Sequence, residues 1–550
     1  MPRSSAPDKG AGPVPLVTVT DLRVTFPGPG GGPGHAVHAV RGVSFTIERG
    51  ECVAIVGESG SGKSVTARSL VGLAGPGADV SASTLDIDGR DTTGYTDRDW
   101  RRLRGRLAGL VLQDALVSLD PLNTVGQEIG EVLRTHRVGA AATRDAQITA
   151  LLDAVHVPEP AVRAKQYPHQ LSGGLRQRAL IASAIAADPP LLIADEPTTA
   201  LDVTVQAQLL RLLAERRAAG STLLLVSHDL AVVAGIADRV LVMHDGVIVE
   251  QGPTARILTA PEHDYTRMLL AAVPTAASRG HRLSATTREP LPAPSIERDR
   301  IVLRAEGLHK HYGARHAVDD VSFALARGEI LGVVGESGSG KTTVARIALG
   351  LLEPDRGSVH LAGRPWTGVP ERRRRPDRRR LQVVSQDPLS SFDPRYTVEK
   401  LVAEPLHLRG AARRDRVVEL LERVGLSAAL LRRHPRALSG GQRQRVAIAR
   451  AVGPRPDVLV CDEPVSALDV SVQAQVLDLL ADLRAGDGTA LLFISHDLGV
   501  IHHLADRVLV MHDGRVVEHG PVEDVFARPE HTYTQTLLAA LPALTAGAGR

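Results

Sequence analysis

Short, unbroken apolar runs punctuate this chain. Val53-Ala-Ile-Val56, Leu191-Leu-Ile-Ala194 and Leu223-Leu-Leu-Val226 show no polar alternation, the pattern of strands buried on both faces of a mainly parallel sheet. Stretches with helical spacing follow them, and Val203 to Arg217 is an example. The alternation predicts α/β layering with right-handed crossovers. Arg239 to Glu250 breaks the rhythm, because two apolar runs flank Asp245-Gly246, a pair suited to a tight primed turn. A hairpin is predicted there, and again at Arg507 to Glu518.

The second hairpin is one sign of a longer repeat. Gly57-Glu58-Ser59-Gly60-Ser61-Gly62-Lys63-Ser64 returns as Gly335-Glu336-Ser337-Gly338-Ser339-Gly340-Lys341-Thr342. Leu171-Ser172-Gly173-Gly174-Leu175-Arg-Gln-Arg178 returns as Leu438-Ser439-Gly440-Gly441-Gln442-Arg-Gln-Arg445. Ala194-Asp195-Glu196-Pro197 returns as Cys461-Asp462-Glu463-Pro464, and Ser227-His228-Asp229 as Ser495-His496-Asp497. The separations are 278, 267, 267 and 268 residues. A whole domain is therefore repeated, with a length difference of about eleven residues between the first two motifs. Two domains, 16–275 and 301–543, are expected, as suits a chain of 550 residues. Residues 276–300, rich in Ala, Pro, Ser and Arg and without apolar periodicity, read as a linker. Residues 1–15 and 544–550 read as tails.

The totals narrow the function. A net charge of only +3 argues against a dedicated nucleic-acid binder. The two cysteines, Cys52 and Cys461, sit inside apolar runs, which excludes a disulfide scaffold or cysteine-ligated cluster and fits a reducing cytosol. They read as small buried hydrophobes. With no run of eighteen apolar residues, no bilayer span is expected. Met1 to Pro15 lacks the apolar core of a signal peptide.

The Gly-x4-Gly-Lys-Ser/Thr loop follows an apolar strand in both halves, the context that a phosphate loop requires. Its glycines let backbone N–H groups turn around phosphates, and the following helix adds its positive end. Lys63 and Lys341 would neutralise the β- and γ-phosphates of a bound nucleotide, and Ser64 and Thr342 would each offer a hydroxyl to Mg²⁺. Asp195 and Asp462 end apolar strands and are candidates to hold that ion. Glu196 and Glu463, next in line, are placed to polarise an attacking water. A helix-capping carboxylate pair is the plainer alternative. His228 and His496 close the next strand, within reach of the γ-phosphate and the water. A lone histidine is more often structural, but recurrence after both carboxylate pairs favours a role at the site.

Leu-Ser-Gly-Gly-x-Arg-Gln-Arg is the signature of ATP-binding-cassette proteins, and the sequence resembles that family over nearly all its length. Both halves show the family's order of phosphate loop, glutamine loop (Gln113, Gln386), signature, Asp-Glu pair, Ala-Leu-Asp loop and histidine. The resemblance implies two P-loop nucleotide-triphosphatase domains in tandem. Each would be α/β, with an antiparallel subdomain and a helical insertion between glutamine loop and signature. It implies that Gln113 and Gln386 help to bind the metal. Ser172, Gly173 and Gly174 would complete the ATP site of the second half, and Ser439, Gly440 and Gly441 that of the first. Phe26 and Tyr312 lie where the family stacks an aromatic on adenine, with strand-end packing as the alternative.

A finer resemblance is to ATPases of oligopeptide, dipeptide and nickel importers, particularly fused forms similar to glutathione and microcin importers. Gln386-Asp-Pro-Leu-Ser-Ser-Phe-Asp-Pro394 carries it, as do the shared Gly-Glu-Ser-Gly-Ser-Gly-Lys loops. So does the terminal motif Pro261-Glu-His-Asp-Tyr265-Thr to Pro274, repeated from Pro529 to Pro542. It implies ATP-driven import of peptides or similar solutes at the cytoplasmic face of the membrane. Partners would be two permease subunits and an extracytoplasmic solute-binding protein. An efflux ATPase, or a tandem cassette protein acting on ribosomes or nucleic acid, is the competing expectation; the short, Pro-containing linker speaks against the latter. Leu175 departs from the usual signature glutamine and Ala115 from the usual proline, and the cysteine-rich cluster that many relatives carry is missing. Arg372 to Arg375 and Arg378 to Arg380 read as a solvated surface, with acidic lipid headgroups the rival reading. His502-His503 lacks the spacing for a metal site.

Overall fold

The computed structural model describes residues 14–28, 36–113, 118–198, 202–285, 287–313, 315–466 and 468–540. Most of the N-terminal tail, the whole C-terminal tail and Ala115 lie outside them. The chain divides into two compact units. Among the described residues one comprises 14–198 and 205–270, the other 202–204 and 271–540.

In the first unit the apolar runs form the middle of one sheet. Its order is Val247–Pro253, Arg239–His244, Cys52–Val56, Thr222–Val226, Leu191–Asp195, Ala108–Val111. Neighbours are parallel except for the terminal hairpin. Every residue of Cys52–Val56, Leu191–Asp195 and Thr222–Val226 is buried, because helices or a second sheet cover both faces. The hairpin turns on Asp245 (φ 48°) and Gly246 (φ 79°), and its copy on Asp513 (φ 46°) and Gly514 (φ 81°), the left-handed pair that a primed turn needs.

The second sheet is antiparallel, with Val17–Phe26 at its centre between Val37–Ile47 and Thr84–Ile87. Leu22, Phe45 and Ile87 from it share a core with Ile55, Leu70, Ile193 and Leu224, so both sheets clamp the helix Lys63–Ser69. Truncating one of these buried residues to alanine costs about 2–5 kcal/mol. Between Gln113 and Ser172 the chain forms the helices Val125–Thr135, Arg144–Ala154 and Pro160–Arg163. The first is opened by a reciprocal cap between Thr124 and Gln127.

The second unit repeats this plan. Its parallel sheet runs Leu381–Val384, Val458–Asp462, Ala490–Ile494, Ile330–Val334, Arg507–His512, with Arg515–Pro521 as antiparallel edge. The antiparallel sheet is built on Glu297–Tyr312 and Arg315–Arg327, and the helical insertion contains Val398–Ala403 and Gly410–Arg423. Cys52 and Cys461 are fully buried and unbridged. Burial pushes both thiols up, Cys52 to about 12, so they behave as small hydrophobes. No helix among the described residues is long and apolar enough to cross a membrane.

Polar fastening explains two segments that composition describes poorly. Within residues 276–300, Asp478 accepts hydrogen bonds from the backbone of Leu283 (3.0 Å) and Ser284 (2.9 Å), Arg282 pairs with Asp482 (2.7 Å), and Ser278 Oγ meets His503 Nδ1 (2.9 Å). The segment is strapped to the second unit, with Leu283 only 1% exposed. His503 is thereby buried, its pKa lowered to about 4 by desolvation. No cluster of three or more metal-ligating side chains exists among the described residues. The arginine cluster divides into two sets. Arg374, Arg378 and Arg380 turn to Glu353, Glu371 and Asp457, and Arg378 also lies over Trp366. Arg372, Arg373, Arg375 and Arg379 face solvent.

Candidate functional site

Each parallel sheet delivers a phosphate-type loop at the end of a fully buried strand. Gly57, Gly60 and Gly62 have φ of 145°, 84° and 97°, and Gly335, Gly338 and Gly340 have 146°, 85° and 102°. A Cβ at Gly57 would stand 2.1 Å from the Met243 carbonyl oxygen, and one at Gly62 2.4 Å from that of Ala39. Only glycine fits such contacts. Inside the loop, Lys63 Nζ donates to the carbonyls of Gly57 (2.8 Å) and Glu58 (2.7 Å). Lys341 does the same to Gly335 and Glu336, both at 2.7 Å. Both lysines are buried, and burial lowers the pKa of Lys341. Ser61 Oγ and Ser339 Oγ are buried without a hydrogen-bond partner. A buried ammonium among carbonyls, beside an unused hydroxyl, suits a polyanionic group. Ser59 and Ser337 complete the loops.

Ser64 Oγ donates to Asp195 at 2.7 Å, while Thr342 Oγ1 stands 3.5 Å from Asp462. A hydroxyl and one carboxylate fit a hard divalent ion that takes its other ligands from phosphate and water. Arg68, which belongs to none of the repeated motifs, clamps Asp195 at 2.8–2.9 Å.

Glu196 and Glu463 follow these aspartates with φ of 49°, an uncommon conformation for a side chain-bearing residue. Each backbone N–H is tied to the next strand, at Val226 O (2.9 Å) and Ile494 O (3.0 Å). Around each carboxylate the same partners gather. Gln113 Nε2 donates to Glu196 (2.7 Å) and Gln386 Nε2 to Glu463 (2.8 Å). His228 and His496 place Nδ1 at 3.3 Å from those glutamates. Burial opposes protonation of each histidine, but the neighbouring glutamate outweighs it and the pKa rises. Burial also acts on Glu463, yet His496 holds its pKa below the usual value, whereas burial raises that of Asp462.

The signature serines stand apart from these groups. Ser172 caps the helix Gly173–Ile185 by accepting the Leu175 N–H (3.4 Å), and Ser439 caps Gly440–Val452 by accepting that of Gln442 (3.3 Å). Gln442 returns a bond to the Ser439 N–H (3.2 Å), which Leu175 cannot do. A Cβ at Gly174 would lie 2.6 Å from Val205 Cγ1, and one at Gly441 2.4 Å from Val472 Cγ1. These glycines allow close helix packing, while Gly173 faces open space and a Cβ at Gly440 would only touch Leu468 at 3.9 Å. No bond joins either serine to its own half's phosphate loop among the described residues. Phe26 is partly buried and packs on the core, whereas Tyr312 is 52% exposed.

The Glu463–His496 pair predicts a titration in the nucleotide-free, metal-free protein. The stabilisation from His496, whose folded pKa is raised, is present below its ordinary 6.5 and fades as pH rises through the folded value. That from Glu463, whose folded pKa is lowered, is present above 4.5 and fades as pH falls through the folded value. NMR should therefore give His496 a midpoint above 6.5, falling below 6.5 in Glu463→Gln, where burial and Lys341 outweigh the smaller opposing influence of Asp497. A midpoint indifferent to the substitution would contradict the pairing.

Known proteins carry the same sequence pattern. The sequence profile of the ABC transporter family matches residues 40–199 and 318–466. That of the oligopeptide/dipeptide transporter C-terminal region matches residues 249–296 and 517–550. The chain is 43% identical to the glutathione import ATP-binding protein GsiA of Salmonella paratyphi A, over 96% of this chain and 89% of that protein. It is 45% identical to the peptidoglycan transport ATP-binding protein YejF of Agrobacterium fabrum, over 96% of each. It is 42% identical to the oligopeptide transport ATP-binding protein OppD of Mycobacterium bovis, over 96% of this chain and 98% of that protein. Two glycine-built phosphate loops, each beside the same carboxylate, glutamine and histidine, agree with that likeness, and the chain belongs to the ABC transporter family as a tandem ATP-binding protein.

Proposed function

We propose that this ATPase is the energising subunit of an importer for oligopeptides, dipeptides or similar small solutes such as glutathione. The observation that supports this reading most is the pairing, in both halves, of an intact phosphate loop with the oligopeptide/dipeptide C-terminal region. The chain would sit at the cytoplasmic face of the membrane on two permease subunits, with a solute-binding protein on the other side.

Lys63 and Lys341 would hold the β- and γ-phosphates while the loop N–H groups turn toward them. Ser64 with Asp195, and Thr342 with Asp462, would hold Mg²⁺, assisted by Gln113 and Gln386; the ion, when bound, offsets phosphate charge. Glu196 and Glu463 would orient and polarise the attacking water, and His228 and His496 would keep each carboxylate in place beside the γ-phosphate. Phe26 and Tyr312 would stack on adenine. In the uptake test, the chain is reconstituted with its permease subunits and solute-binding protein in vesicles. ATP-dependent accumulation of di- or oligopeptides is expected; ATP-dependent extrusion, or no movement of any peptide, would refute import.

The signature residues would serve the nucleotide of the opposite half, since a capped helix start without a phosphate in its own half gains stability from one supplied by another. Lys63→Ala with Ser439→Ala then damages one site twice, whereas Lys63→Ala with Ser172→Ala damages both. ATP turnover of the assembled transporter, read together with site occupancy, should be much lower in the second pair. The reverse ranking would mean that each half works within itself.

A further inference from the structure

The repeated terminal motif has no part in the chemistry above, yet its geometry is the same in both units. Glu250 accepts the backbone N–H groups of Glu262 (2.8 Å) and His263 (3.0 Å), and Glu518 those of Glu530 (2.9 Å) and His531 (3.0 Å). His263 Nδ1 accepts the N–H of Tyr265, and His531 Nδ1 that of Tyr533, both at 3.1 Å. These bonds fix the entry into the helices Asp264–Ala271 and Thr532–Ala539, and with it the direction of each tyrosine. The rings stack on the last residue before the hairpin turn, Tyr265 on His244 with centroids 4.1 Å apart and Tyr533 on His512 at 4.0 Å.

The hydroxyls reach the phosphate loops. Tyr265 Oη accepts the backbone N–H of Glu58, and Tyr533 Oη that of Glu336, each at 2.9 Å. The carbonyls of the same residues, Glu58 and Glu336, hold Lys63 and Lys341 at 2.7 Å. One residue in each loop is thus gripped by the tyrosine on its N–H side and grips the lysine on its carbonyl side. Tyr265 is 6% exposed, so its bond is shielded from water. Burial pushes the Tyr533 hydroxyl up to about 12, which keeps it neutral.

We propose that Tyr265 and Tyr533 are positioning residues through which the terminal segment of each half sets its loop lysine for phosphate. The proposal rests on the reading of the loops as ATP sites. Strain or movement in the terminal segment then reaches the phosphates through a single loop residue, with no contact between tyrosine and nucleotide. The tyrosine of the His-x-Tyr-Thr repeat is the link.

Tyr265→Phe and Tyr533→Phe keep ring and stacking but delete the acceptor, leaving a loop N–H without its partner. In the full-length chain, equilibrium binding of Mg-ATP at the altered half should weaken on the order of tenfold. Binding of AMP, which lacks the β- and γ-phosphates, should change little. Hydrogen exchange should accelerate at the Glu58 or Glu336 amide but not along Cys52–Val56 or Ile330–Val334. Equal weakening for ATP and AMP would reduce the tyrosine to a general packing role and overturn the proposal. So would unchanged ATP binding with an unchanged Glu58 amide. The two halves supply independent variants, and thermal unfolding of each reports whether it remains folded. Failure of the unaltered chain to bind Mg-ATP would instead overturn the reading of the loops.

Discussion

A lysine ammonium buried in a loop of glycines organises each half of this molecule. Water is largely excluded from Lys63 and Lys341, and carbonyl oxygens of the loop itself hold them. Such a cation is tolerable only where the backbone wraps around it, and the backbone wraps only because three glycines take left-handed or similarly restricted conformations. The buried parallel strands aim the loop, the antiparallel sheet covers the helix that follows it, and the hairpin closes over Gly57 and Gly335 through Met243 and Met511. The fold is in this sense a mount for two charged loops.

Around each loop the remaining groups obey one arrangement with small departures. Glu196 and Glu463 share their backbone conformation, their glutamine and their histidine to within 0.1 Å in the quoted distances. The adjoining carboxylates differ more. Asp195 is fully buried under Arg68 and Ser64, whereas Asp462 stands farther from Thr342 and burial raises its pKa. Leu175 removes half of a reciprocal cap that Gln442 keeps. These departures touch the supports of the sites, and the loop lysines, the glutamates and the histidines are alike in both halves.

Much of this was legible in the sequence because apolar runs and glycine-rich motifs act locally. A strand buried on both faces must be continuously apolar, and Asp245-Gly246 must turn tightly, so the sheet and its hairpin could be read without neighbours. Polar fastening was not legible. Asp478 and Arg282 look like ordinary surface residues until their partners, roughly two hundred positions away along the chain, are known. The same holds for Arg68 on Asp195 and for Tyr265 on Glu58, whose spacings of 127 and 207 residues belong to no short motif. The arginine cluster misleads for a related reason, since three of its members fold inward onto carboxylates while others stay in water.

If one chain carries two complete nucleotide sites, two nucleotides must bind to it at once. Equilibrium dialysis of Mg-ATP against the full-length protein with both Glu196→Gln and Glu463→Gln, in which binding is kept apart from turnover, tests this most directly. Two Mg-ATP should bind per chain at saturation, one being lost on adding either Lys63→Ala or Lys341→Ala. A stoichiometry of one, or two that survive both lysine substitutions, would contradict it.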